Sequence, residues 1–349
     1  MNRKIILPIL GLFVLIVFSG TIVYLDSEYR YEVLQTIEIK QTPKLLTNSY
    51  KIEPFAVGLP FPYHLTVLDD DVFFNQRFTG KLFVIKNEEF QKNPILNFNS
   101  ENLYTRILGI SSDDSSIFVH MAESKENKIF ENNRVFKYSW DGNSLNFIEK
   151  VDTLALYTDE HHSGDSLVMD NKKIISTFPK SAQSNDEEYY IYGIHGFDYD
   201  SITETIWHTS EVEWPENLEE INSLDQYEKI HIMQKPYKTS KSWEVPYYPN
   251  SLLIPEVNLS TTYNDSLFVG FCKGVNDGGG GLYEYPLSSE RNEFLIPNTE
   301  STLLNVNHDK FLIGENFYCV SDMELGSDNI IYLTDYVSNG AIYKIEPKQ

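Results

Sequence analysis

The sequence predicts an all-β chain, a six-bladed β-propeller preceded by one N-terminal transmembrane helix. Three observations predict it. An acidic turn followed by a short apolar strand recurs six times. Several of these strands lead through a glycine turn into a partner strand. No helical periodicity of useful length follows Leu25.

Taken in order, the chain opens with Arg3 and Lys4 and then runs without a charge from residue 5 to residue 25. At about 1.5 Å per residue that stretch spans roughly a 30 Å hydrocarbon layer. It stays apolar past Ser19 and Gly20, where a cleaved leader would end in small residues. Residues 1–27 are therefore expected to be an uncleaved anchor in preference to a signal sequence. Arg3 and Lys4 would stay cytoplasmic, with the rest of the chain on the extracytoplasmic side. Residues 28–54 read as a linker with a candidate closing strand around Val33, Ile37 and Ile39, expected to pair beside Ile342, Tyr343, Lys344 and Ile345. Residues 55–349 read as the propeller.

The repeated unit appears at Asp70-Asp71-Val72-Phe73-Phe74, then at Asp113 with Ile117-Phe118-Val119, then at Asp170 with Ile174-Ile175. It returns at Glu204-Thr205-Ile206-Trp207, Asp265-Ser266-Leu267-Phe268-Val269 and Asp328-Asn329-Ile330-Ile331-Tyr332. Steps between the first aliphatic positions are 45, 57, 32, 61 and 63 residues. Partner strands follow at Leu82-Phe83-Val84-Ile85, Leu282-Tyr283-Glu284-Tyr285 and Ala341-Ile342-Tyr343. Acidic turn, strand, glycine turn, strand is a hairpin, and hairpins repeated at this spacing fit blades of four strands. The rival architecture is a pair of β-sandwiches.

Composition narrows the function. Aromatic residues make up 14% of the chain, with 23 Tyr and 21 Phe against 5 Met, which suits a pleated core. A net charge of −23 repels phosphate backbones and argues against nucleic acid as a partner. Two cysteines, Cys272 and Cys319, exclude a disulfide-stapled scaffold; one bridge between them stays open.

The densest constellation lies in residues 159–165, where Asp159, Glu160, His161, His162 and Asp165 crowd together. Adjacent histidines on a strand face opposite ways, so a shared metal is disfavoured. One of them as a general base is the better chemistry, because imidazole titrates near neutral pH. A solvated loop histidine is the plain alternative. Lys273 ends the apolar run Leu267-Phe268-Val269-Gly270-Phe271 and reaches either a central channel or water. The glycine run at residues 278–281 precedes a strand, so it reads as a hairpin turn and not as a phosphate loop.

A collinear set of segments then resembles one family. Leu59-Pro60-Phe61-Pro62-Tyr63-His64-Leu65 with Thr79-Gly80-Lys81-Leu82 is similar to its opening hairpin. Ile107-Leu108-Gly109-Ile110, Glu160-His161-His162-Ser163-Gly164, Tyr192-Gly193-Ile194 and Glu219-Glu220-Ile221-Asn222 follow in its order, and residues 322–347 resemble its last blade. The family is that of the quinoprotein glucose/sorbosone dehydrogenases, propellers that oxidise sugars with pyrroloquinoline quinone (PQQ). The resemblance implies His161 as the base that takes the sugar hydroxyl proton, with Glu160 beside it and Lys273 as a cofactor ligand. Tyr104 and His195 fall where the family has further cofactor contacts. PQQ and calcium are the implied cofactors, although the calcium loop near Glu213-Trp214-Pro215 lacks its glycine.

The departures cut the other way. The family's paired arginines near the C-terminal blade fall on Cys319 and Ser321, and its Arg-Asn pair is replaced around His195-Gly196. The quinone carries three carboxylates, and each charge-assisted bond is worth roughly 1.5–3 kcal/mol. Three lost pairings amount to about 10³ to 10⁶ in affinity. Two functions therefore stand as expectations. One is a membrane-anchored extracytoplasmic propeller that oxidises a sugar or alcohol by hydride transfer to PQQ. The alternative is a non-catalytic propeller that binds a glycan, a cation or a partner protein.

Overall fold

The computed structural model describes residues 42–77, 79–98, 104–124, 132–158, 167–170, 173–179, 194–210, 228–234, 238–245, 248–255, 263, 265–272, 280–296, 303, 307–327, 329–337 and 339–348. Strands β1 (Lys44–Leu45) and β2 (Tyr50–Leu59) come first. Blade one holds β3 (Pro62–Leu68), β4 (Asp71–Gln76) and β5 (Lys81–Lys86), with β6 (Glu89–Phe90) and β7 (Leu96–Asn97) both on β5. Blade two holds β8 (Tyr104–Ser112), β9 (Ser116–Ser124), β10 (Asn132–Trp140) and β11 (Leu145–Val151). A smaller sheet follows, of β12 (Leu154–Thr158), β13 (Leu167–Asp170) and β14 (Lys173–Pro179).

Blade three holds β15 (Ile194–Asp200), β16 (Thr205–Ser210), β17 (Glu228–Gln234) and β18 (Lys238–Val245). Blade four holds β19 (Tyr248–Leu253), β20 (Ser266–Cys272), β21 (Gly280–Pro286) and β22 (Leu312–Phe317), with β1 on its edge. Blade five holds β23 (Val320–Leu325), β24 (Ile331–Asp335) and β25 (Gly340–Pro347), completed by β2. The innermost strands β3, β8, β13, β15, β19 and β23 are neighbours in that order, and β23 returns to β3.

Each repeated acidic segment lands on the strand paired with the innermost one, namely β4, β9, β14, β16, β20 and β24. The turns explain the acidity. Asp69, Glu204, Asp265 and Asn329 all have positive φ, between 53° and 63°. Short polar side chains tolerate that region better than branched ones.

Strands flanked by sheets on both faces are buried throughout, as β4 is, with Val72, Phe73 and Phe74 apolar on consecutive positions. Phe73 packs with Ile107, Ile117 and Val119 of blade two. Its neighbour Phe74 points the other way, toward Tyr332 and Ile342 of blade five. Between blades three and four, Trp207 and Trp243 stack at 5.9 Å and meet Leu252, Val269 and Phe294.

Two expectations are corrected. The first is the ring of six like blades. Five sheets are full antiparallel blades of four or five strands, so the propeller is five-bladed in that sense. The sheet of β12, β13 and β14 has three strands and a parallel pair, Leu154 to Ile175 through Thr158 to Pro179. A strand preceding the hairpin takes the edge on which a third antiparallel strand would grow, so no blade of the regular kind forms there.

The second correction is the transmembrane helix. Among the described residues no helix is long and apolar enough to cross a membrane. Residues 1–27, on which the anchor was placed, lie outside the described residues. The anchor, the membrane as a partner and the membrane-anchored extracytoplasmic placement are withdrawn together.

Within the propeller, Ile342 pairs with Ala56 and Ile345 with Ile52, while β24 takes the other side of β25. Residues 33–39, on which a closing strand was expected, lie outside the described residues.

Cys272 and Cys319 form a disulfide, with Cα atoms 4.2 Å apart across a sequence separation of 47. It ties the end of β20 to the entry of β23. Loop-closure entropy for such a cross-link is about 4 kcal/mol. Replacing both cysteines by Ser should lower the urea midpoint by a corresponding amount. Dithiothreitol should do the same to the wild type and nothing further to the double variant.

Candidate functional site in the channel

The inner strands line a channel, and a cavity of about 420 Å³ lies where they end. It is walled by β3, β8, β15, β19 and β23 and rimmed by the acidic turns that follow β3 and β8. Its size falls in the small-molecule range of about 300–1,000 Å³.

Side chains stitch this wall together. Asp198 on β15 accepts a hydrogen bond from the Ile254 amide at 2.7 Å, and its other oxygen accepts from Tyr199 at 2.8 Å. Asp322 on β23 does the same across the ring closure, accepting from Leu65 at 2.8 Å and from Met323 at 3.0 Å. Asn75 accepts from the His64 amide at 2.7 Å and donates to the Ile107 carbonyl at 2.9 Å. Ser251 donates to the Val320 carbonyl at 2.9 Å. Apart from the bonds from Tyr199 and Met323, which stay within one strand, these bonds join neighbouring blades directly or through the strand beside the innermost one.

His64 is the exception in the wall. Its side chain is 6% exposed and its Nδ1 lies 3.5 Å from Asp322 Oδ2. Among the described residues its Nε2 is buried with no hydrogen-bond partner, and His64 is one of the residues lining the cavity.

The residues expected from the sequence sit elsewhere. Glu160, His161 and Lys273 lie outside the described residues. Tyr104 opens β8 and His195 lies near the start of β15, both at the opposite end of the channel from the cavity. Cys319 and Ser321 lie at that end too. There Arg77 stacks over the Tyr63 ring at 4.1 Å and the Tyr336 ring at 5.0 Å. The Arg106 guanidinium has its pKa lowered, first by burial and then by the charge of Arg77.

Two positions where the resemblance implies arginines offer no cation. Cys319 is locked in its disulfide. Ser321 is buried and donates to the Tyr63 carbonyl at 2.9 Å. Neither can replace an arginine facing a carboxylate. No group of three or more His, Cys, Asp or Glu among the described residues is placed to hold a metal ion.

His64, Asp198 and Asp322 are the residues that sequence reasoning missed. The available signal was a polar side chain inside an otherwise apolar innermost strand, as in Pro62–Leu68.

Burial dominates the titration of this region. It pushes the Asp198 carboxyl up to about 7, against the two amides it accepts from, with Asp200 and Asp322 adding to the rise. Asp335, which holds the Tyr318 and Cys319 amides, is likewise pushed up to about 7 by burial. A raised carboxyl binds its proton more tightly in the folded chain. The stability it contributes is therefore whole below the unfolded value of 3.8 and vanishes as pH climbs through 7. Burial moves the stacked His208 and His231 the other way, to about 4 and about 2, so their contribution is present above 6.5 and fades as pH falls. Asp198→Asn should thus gain melting temperature relative to wild type between pH 5 and pH 8, measured by calorimetry. A constant difference across that range would refute the buried acid.

Comparison with known proteins bears on the fold. No family model matches the sequence, and no curated protein sequence matches it. Solved structures do. A glucose dehydrogenase superimposes with a TM-score of 0.55 at 13% identity, covering 85% of this chain and 100% of its own. The soluble aldose sugar dehydrogenase of Escherichia coli gives 0.51 at 11%, covering 86% and 100%. A carbohydrate-active enzyme of Trichoderma reesei gives 0.55 at 10%, covering 90% and 100%. Identities this low speak for architecture alone: the chain is a β-propeller that shares its fold with the glucose-dehydrogenase-like propellers.

Proposed function

We propose that the chain binds a small polyhydroxylated, sugar-like molecule in the channel cavity. The observation that carries this reading is the cavity of about 420 Å³ at the end of the channel, lined by His64 and by the acidic side chains of Asp69, Asp114 and Glu324. The carboxylates around the cavity accept the hydroxyls of a polyol. The names of the structures with this fold, glucose dehydrogenase and aldose sugar dehydrogenase, support a sugar as the class of ligand.

Asp114→Ala removes one of the cavity carboxylates to which a hydroxyl would donate. One hydrogen bond is worth about 0.5–1.5 kcal/mol, so affinity should fall by up to about tenfold. Calorimetric titration of the full chain with neutral monosaccharides measures this. If no saccharide gives a saturable heat, or if Asp114→Ala binds as the wild type does, the reading is wrong.

A further inference from the structure

We infer a second ligand site at the opposite mouth of the channel, where Arg77 and Arg106 take the oxyanion of a small acidic sugar. Neither arginine lines the cavity described above, so this site stands or falls without it.

Three independent features meet at this mouth. The first is a guanidinium held in place by rings. Arg77 stands over the Tyr63 ring at 4.1 Å and the Tyr336 ring at 5.0 Å, and it hydrogen-bonds the Tyr336 side chain. Stacking fixes the plane of the fork before a ligand arrives, so little freedom is lost when its N–H edge binds.

The second feature is a like charge brought alongside. Asn75 donates to the Ile107 carbonyl at 2.9 Å, and the Ile107 amide donates to the Thr79 carbonyl at 3.1 Å. Those two bonds bracket Arg77 in sequence and set the exposed Arg106 beside it. Burial lowers the Arg106 pKa, and the charge of Arg77 lowers it further. Two guanidiniums at such range repel. An oxyanion between them replaces that repulsion with charge-assisted hydrogen bonds.

The third feature is backbone strain. Phe61 has a φ of 47°, in the left-handed region that a bulky residue rarely enters. Its carbonyl accepts the Arg77 amide at 3.0 Å, and its half-buried ring lies 6.0 Å from that of Tyr336. Strain of this sort gathers at ligand clamps, where it serves to present a side chain. Phe61 and Tyr336 thus offer partly exposed rings beside the two cations. The forks suit an oxyanion and the rings suit the C–H face of a pyranose, which together describe a uronic acid or a sugar phosphate.

Titrate the full chain at pH 7 and low salt with glucuronate, glucose 6-phosphate and glucose, and repeat with Arg106→Gln, checking that the variant melts as the wild type does. At least one of the two acids should bind at least tenfold more tightly than glucose. Arg106→Gln should cut that affinity about tenfold or more, the worth of one charge-assisted bond. The tighter acid then identifies the oxyanion as carboxylate or phosphate. Arg77→Lys, which keeps the charge and loses the flat fork, should weaken the same acid by a similar factor. Acids no tighter than glucose, or an advantage that Arg106→Gln leaves intact, would overturn the site. PQQ binding that displaces both acids and is itself weakened by Arg106→Gln would give the mouth to the quinone and overturn the sugar.

Discussion

The innermost strands of neighbouring blades lie side by side without forming a common sheet, so their backbone needs partners that no ladder supplies. That constraint organises the middle of this molecule. Asp198 holds the amide of Ile254 and Asp322 holds that of Leu65. Asn75, Ser251 and Ser321 perform the same task at other seams, using an amide or a hydroxyl. Buried backbone groups left unpaired are rare because each costs more than a hydrogen bond returns. The polar residues scattered through apolar strands are thus the joints of the ring. Those at its lower end also furnish the cavity wall, so architecture and recognition draw on the same side chains.

Much of the fold was legible in the sequence because hairpins are local. The run Val72-Phe73-Phe74 is apolar on consecutive positions since sheets press on both of its faces. The acidic turns could be read because a left-handed residue such as Asp69 or Asp265 favours a short polar side chain. The three-stranded sheet could not be read. Its parallel pair joins Leu154 to Ile175 across an intervening hairpin strand, and pattern alone does not report such a crossing. The pairing of Tyr50–Leu59 with Gly340–Pro347 is likewise a long-range choice that no local pattern reports.

The site was less legible than the fold. His64 and Asp322 are brought together by ring closure, and Leu65 and Asp322 are 257 residues apart in sequence. Nothing near either residue announces the other. The resemblance to the sugar dehydrogenases directed attention to the opposite mouth, where Cys319 and Ser321 turn out to serve structure. Part of the net charge of −23 is gathered around one cavity.

The pairing of β2 with β25 has a consequence for how the protein is made. Tyr50 meets Pro347, and Leu59 meets Gly340, so β2 leaves the ribosome long before its partner strand. Until then β2 is an unsatisfied edge of ten residues, open to any extended peptide nearby. Loss of β25 would leave that edge bare for good. A nonsense codon ahead of Gly340 would then act as an aggregation mutation more than as a simple truncation.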